Sequence, residues 1–262
     1  MSIYMWREHI PQELCFTANT ASSTVQLNKT WSPTSVTLET SADGETRTTY
    51  TFWTTITLSN IWDKIYRRNT SETTTGFTTS SSNYYSFAMT WSISASWDIT
   101  YLINKNGTTT LIWNRCFGTL FNNCTSLTSI PNLPATTLTD NCYFAMFYGC
   151  THITTATSLP ATSIPYNAYY NMFVDCYNLE QLPRLPATTV LDWWCWNMFS
   201  GCSKIKLSTT QTWEYQTEYR IPITWSWTYS SYALLDMFYD TWWTFTWTPT
   251  INTTYYTSNT LV

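Results

Sequence analysis

Glycine is scarce in this chain, 6 of 262 residues against 16 tryptophans, which is roughly the reverse of ordinary usage. Charge is scarce too. Asp, Glu, Lys and Arg make up 11% of the residues and the formal net charge is -4, which excludes the basic footprint of a nucleic-acid binder and of a polybasic membrane anchor. No apolar run reaches the roughly 18 residues that a membrane-crossing helix needs. Eight cysteines are present but no C-x-x-C pair, so a zinc site has no sequence support. Glycine-rich phosphate loops, G-x-S-x-G elbows and H-E-x-x-H are absent. His9 and His152 have no ligand or nucleophile pattern around them, and the scattered acids form no general acid/base pair. These absences predict a non-catalytic protein without metal or cofactor.

What is present is a beat of 26 residues. Cys124, Cys150, Cys176 and Cys202 are evenly spaced, each with a phenylalanine three residues upstream (Phe121, Phe147, Phe173, Phe199), and Met146, Met172 and Met198 keep the same step. Leu-Pro-Ala-Thr recurs with it at 133–136, 159–162 and 185–188. A fixed period in the twenties signals units that cannot bury their apolar faces alone and must stack. Within 139–150, Cys142, Met146 and Cys150 fall at i, i+4, i+8, which predicts a short inward-facing helix capped by Thr139 or Asp140. The position before each ladder cysteine reads Asn123, Gly149, Asp175, Gly201, residue types that tolerate the left-handed conformation that stops a helix. After each cysteine a strand is expected, with apolar columns Leu127, Ile153, Leu179, Ile205 and Ile130, Ala156, Leu182. Leu138, Ile164 and Val190 form a further column. Four cysteines in one column read as a buried structural thiol ladder rather than as disulfides or metal ligands.

The flanks lack the beat. Short alternating runs at 22–27, 35–39, 50–58 and 84–89, separated by turn clusters such as 41–44 and 104–107, predict an all-β sandwich over 11–112. Residues 113–202 are the repeat array and 203–262 an irregular terminal repeat or cap. Residues 1–10 lack the charged start and apolar stretch of a signal peptide and read as a fragment of an upstream region. The expected fold class is mixed: an N-terminal all-β sandwich, then a short α/β leucine-rich-repeat solenoid with its cap. Threonine, roughly a fifth of the residues, suits an exported β-rich surface protein, or a drift in genome composition.

The run at 123–138 (Asn-Cys-Thr-Ser-Leu-Thr-Ser-Ile-Pro-Asn-Leu-Pro-Ala-Thr-Thr-Leu) and the run at 142–150 (Cys-Tyr-Phe-Ala-Met-Phe-Tyr-Gly-Cys) resemble the BspA-like leucine-rich repeats of bacterial surface proteins. The resemblance covers 113–262. It implies an extracellular or cell-surface protein that binds a host or neighbour-cell protein or glycan, with no shared catalytic site. The alternative is a structural spacer or stalk module of a larger surface or phage-tail protein. If the array binds, the alternating outward positions of the strand layer are the candidate face: Ser126, Thr128, His152, Thr154, Asn178, Glu180, Lys204 and Lys206. They change from neutral to basic along the array, which would orient a partly acidic ligand.

The tryptophans depart from the family pattern. Trp62, Trp91 and Trp97 stand where that pattern has glycine, and Thr241-Trp-Trp-Thr-Phe-Thr-Trp looks like a family Thr-Gly-Gly-Thr-Phe-Thr-Gly. The repeat column Cys116, Cys142, Ala168 ends in Trp194, where three small residues predict a fourth. One reading is a gene in which UGA encodes glycine but has been read as tryptophan; Arg47 and Arg67 stand where related sequences tend to have Trp, a hint of further reassigned codons. The other is a genuine aromatic platform for sugars built from Trp225, Trp227, Trp242, Trp243 and Trp247. Strained turns and indoles stranded in solvent are expected under the first.

Overall fold

The computed structural model describes residues 12–30, 36–78, 80, 82–187, 189–190, 195–221, 233–241, 248–250 and 252–262. The reading of 1–10 as an upstream fragment, the column position Trp194, and the tail tryptophans 225, 227, 242, 243 and 247 lie outside them.

Alternation of apolar and polar residues builds the N-terminal strands. β1 (Leu14–Ala18), β3 (Leu38–Ser41), β4 (Thr48–Thr49), β6 (Lys64–Asn69), β8 (Ile93–Ser96) and β9 (Leu127–Ser129) form a six-stranded sheet in the order β4-β3-β6-β1-β8-β9. β2 (Ser23–Lys29), β5 (Thr55–Leu58) and β7 (Tyr85–Thr90) form a second, three-stranded sheet with β2 in the centre. In β2, Val25 and Leu27 point inward while Thr24 and Gln26 point outward, the period of two that a half-buried strand imposes. The two sheets meet through Phe16 and Phe87, whose rings lie edge to face at 4.8 Å. The last strand of the larger sheet, β9, comes from the first repeat and pairs parallel to β8, so hydrogen bonding runs across the expected boundary at 112.

The α/β solenoid expected for the repeats is not what forms. Among the described residues there is no α-helix; the one helical element is a single 3-10 turn at Ile99–Leu102. The physical reason is a left-handed residue at every fourth position: Arg115, Thr119 and Asn123 in one unit, Asn141, Ala145 and Gly149 in the next, Asn167, Asn171 and Asp175 in the third, all with φ between +47° and +69°. Such a residue interrupts the i to i-4 ladder that an α-helix requires. The N–H groups are satisfied alternately instead. Phe117, Thr119, Phe121 and Asn123 donate to the carbonyls of Cys142, Phe144, Met146 and Tyr148 in the following unit, at 2.7–3.0 Å, whereas Gly118, Leu120, Asn122 and Cys124 donate three residues back. The result is a chain of four-residue turns, hydrogen-bonded sideways to the turns of the next unit.

This sideways bonding stacks like on like. Phe87, Phe121, Phe147, Phe173, Phe199 and Phe238 form a column of rings with centroids 5.0–5.7 Å apart and planes within 19° of parallel. The column begins in β7 and ends beyond the break in the beat, because Phe199 and Gly201 donate to Met237 and Tyr239. A second column joins Phe117, Tyr143 and Tyr169 at 6.1 Å spacing. The apolar columns at Leu127, Ile153, Leu179 and Ile205 are fully buried, and one hydrophobic core runs from Leu14 to Tyr255.

Past the cysteines the chain is extended but forms only short pairs. β10 (Ser163–Ile164) pairs parallel to β12 (Thr189–Val190), and β11 (Gln181–Leu182) pairs parallel to β16 (Thr260–Leu261). β13 (Leu207–Ser208), β15 (Thr254–Thr257) and β14 (Thr217–Arg220) make an antiparallel sheet with β15 in the centre. Among the described residues the architecture is therefore several small sheets joined by stacked turns, almost wholly β, with no closed barrel.

Candidate functional site

The expected face from Ser126 to Lys206 divides into three parts. Ser126 and Thr128 face the two N-terminal sheets: Ser126 Oγ donates to the Met89 carbonyl at 3.3 Å and Thr128 Oγ1 to the Ile93 carbonyl at 3.0 Å, while Asn19 Nδ2 donates to Thr128 Oγ1 at 2.8 Å. The Thr128 hydroxyl thus holds β9 to β8, the Ser126 hydroxyl ties the residue before β9 to β7, and both residues are half-buried. His152 and Thr154 are exposed, and the His152 ring sits 3.2 Å from the Thr151 hydroxyl. Asn178 is half-buried and donates to the Thr151 carbonyl at 2.8 Å.

Glu180, Lys204 and Lys206 do come together. They line a groove of about 640 Å³ with Ser203 and with Ser258, Asn259 and Thr260, where the chain passes from β15 to β16. Asn259 organises its floor. Its amide nitrogen donates to the carbonyls of Glu180 and Lys204, both at 3.0 Å, and its amide oxygen accepts from the Lys206 N–H at 2.8 Å. Thr257 Oγ1 adds a bond to the Lys206 carbonyl at 2.7 Å. These bonds fix the backbone of the wall residues Glu180, Lys204 and Lys206, so the groove is preformed. Lys204 pairs closely with Glu180, and Lys206 Nζ lies 3.8 Å from Glu214. All four side chains are 42–55% exposed, and exposed pairs of this kind are worth about 0–1 kcal/mol. A ligand can therefore replace either partner at small cost. The basic trend read along the sequence is offset here by two carboxylates.

The part played by Asn259 is not visible in the repeats, because it lies beyond the break in register; a buried asparagine between Ser258 and Thr260 carries no motif. A second recess of about 430 Å³ is lined in part by Tyr84, Ser86, Arg115, Asn122 and Phe144, with the Arg115 guanidinium 4.8 Å above the Phe144 ring. No expected site residue falls in it.

All eight cysteines are buried and unpaired by disulfides. Burial pushes Cys116 and Cys124 up to about 12 and raises Cys142, Cys150, Cys176, Cys195 and Cys202 as well, so these thiols are protonated and inert near neutrality. Glu13 is held between Arg47 at 2.7 Å and Arg68 at 3.3 Å, with Arg68 also 3.0 Å from Glu39, a bracing network on the six-stranded sheet. Asp98 is raised by desolvation and receives the Thr100 N–H at 2.7 Å, the cap of the 3-10 turn. Among the described residues no three His, Cys, Asp or Glu side chains converge as metal ligands, and no helix is long and apolar enough to cross a membrane. Comparison with protein families, curated proteins and solved structures finds no match for this chain.

Proposed function

We propose that this chain is a non-catalytic binding module of an extracellular or cell-surface protein, and that it holds a glycan or a protein partner in the groove between Glu180, Lys204, Lys206 and residues 258–260. The preformed floor at Asn259 carries this reading. It fixes the polar walls before a ligand arrives, which lowers the ordering cost of binding. Hydroxyls and the two ion pairs Lys204–Glu180 and Lys206–Glu214, balanced in charge, suit a polar ligand rich in hydrogen-bonding groups, and Thr154 and His152 extend the polar surface toward the preceding unit. The resemblance to BspA-like repeats supports the same class of function.

The test is a glycan array probed with the whole chain and with K204A/K206A. Signal confined to a set of related glycans and lost in the double variant supports the proposal; binding unaltered by the variant, or none to any glycan or cell-surface protein extract, contradicts it. The spacer reading draws on the single core that runs through every unit, which suits a stiff connector. It predicts a chain that binds nothing and whose groove variants are silent.

A further inference from the structure

We infer that positions 53, 62, 91 and 97 are glycines in the protein that the cell makes, and that the tryptophans written there come from UGA codons that the source organism reads as glycine. Of the seven described tryptophans, these four have φ of +68°, +73°, +63° and +63°. An L-residue in this region places Cβ against the following carbonyl at a cost that a bulky side chain rarely accepts. The turns themselves are fixed by their neighbours: Trp62 donates its N–H to the Ala18 carbonyl at 2.8 Å, Trp53 to Leu27 at 3.1 Å, and the Trp97 carbonyl accepts from Asn132 at 2.7 Å. The backbone cannot relax without loss of these bonds.

At three of the four positions no burial offsets the strain, and at none does ring stacking. Trp53, Trp62 and Trp91 are 57%, 73% and 68% exposed, and none of the four rings stacks on another aromatic ring among the described residues. A binding platform would require the indoles to gather; here Trp53, Trp62 and Trp91 hold their indoles in water, and Trp97 is half-buried with no ring partner among the described residues. Gly44, Gly107, Gly149 and Gly201, four of the six glycines, have the same sign of φ, so left-handed turns are where this chain uses the glycine that it does show.

The same criterion separates out a genuine tryptophan. Trp196 is absent from the left-handed positions, is half-buried, and lies 5.4 Å from the Tyr170 ring, which itself stacks on Phe144 at 5.1 Å. An aromatic column calls for an aromatic residue, and UGG codons remain tryptophan when UGA is reassigned. The inference is independent of the proposed groove, which contains no tryptophan.

Peptide mass spectrometry of the protein purified from its source cells tests this directly. The expected result is glycine mass at 53, 62, 91 and 97 and tryptophan mass at 196. Tryptophan at the four turn positions overturns the inference. Glycine at 196 as well as at the four overturns the link between the substitution and left-handed backbone.

Discussion

Cys150 donates its thiol proton to the carbonyl oxygen of Phe121, one unit back, across 3.0 Å. The bond repeats from Cys124 to Phe87 at 3.2 Å, Cys176 to Phe147 at 3.2 Å and Cys202 to Phe173 at 3.0 Å, so the cysteine column and the phenylalanine column are one device. The Phe121 carbonyl also accepts the Cys124 N–H at 3.0 Å. A small, apolar side chain with a weak donor is what the position requires. C150A removes the bond and leaves a void, and urea denaturation should show a loss of about 1–3 kcal/mol. C150S keeps a donor and should lose less; equal losses would show that the bond contributes nothing.

The buried thiols also set a pH dependence. An ordinary thiol at 9.0 rises to about 12 at Cys116 and Cys124 because burial disfavours the thiolate. The folded value lies above the unfolded one, so the contribution is complete below pH 9 and is lost as pH rises toward 12. Each such thiol removes about 1.4 kcal/mol per pH unit in that window. Stability measured in urea should be level from pH 7 to 9 and fall steeply above; a level profile to pH 11 would contradict the burial. Thiol reagents at pH 8 should label the chain only after unfolding.

Asn123 and Gly149 occupy one column on successive units, and a Cβ at Gly149 would overlap Asn123 Oδ1. Gly201 repeats the relation under Asp175. The alternation Asn, Gly, Asp, Gly is thus a packing requirement as well as a turn requirement. G149A should lose more than about 1 kcal/mol, from both the clash and the φ of +69°. N123G/G149A should recover part of that loss, a coupling that thermal unfolding of the single and double variants measures.

Arg67 in β6, opposite Leu14 of β1 and Thr40 of β3, is fully buried, and none of its three guanidinium nitrogens has a hydrogen-bond partner. Its cation lies 3.9 Å over the Tyr50 ring, and desolvation lowers it to about 10. An unpaired buried charge costs more than stacking returns. R67M should raise stability by about 1–4 kcal/mol in urea; destabilisation would mean that the guanidinium is better satisfied than its geometry indicates.

The repeat columns were legible because stacking puts identical positions in contact: Cys124 to Cys202, Phe121 to Phe199 and Leu127 to Ile205 all entered the core. The helix reading failed because Cys142, Met146 and Cys150 at i, i+4, i+8 fit a four-residue turn as well as a 3.6-residue helix. The signal that separates the two was Asn141 with Gly149, and Asn167 with Asn171 and Asp175, where left-handed residue types recur every fourth position. Of the expected face, Glu180, Lys204 and Lys206 meet, since neighbouring units place them side by side. Ser126 and Thr128 are diverted by pairing of β8 with β9, a contact between distant segments that no local pattern encodes.

The most direct measurement is the thermal unfolding of W53G/W62G/W91G/W97G against the chain as written and against the matching four-alanine set. Relief of four left-handed tryptophans should raise Tm by roughly 10 °C, and the alanine set should recover much less, because alanine keeps the Cβ that the turns exclude. A glycine set that melts at or below the parent would show that the indoles stabilise these turns, and that glycine is not the residue they were built for.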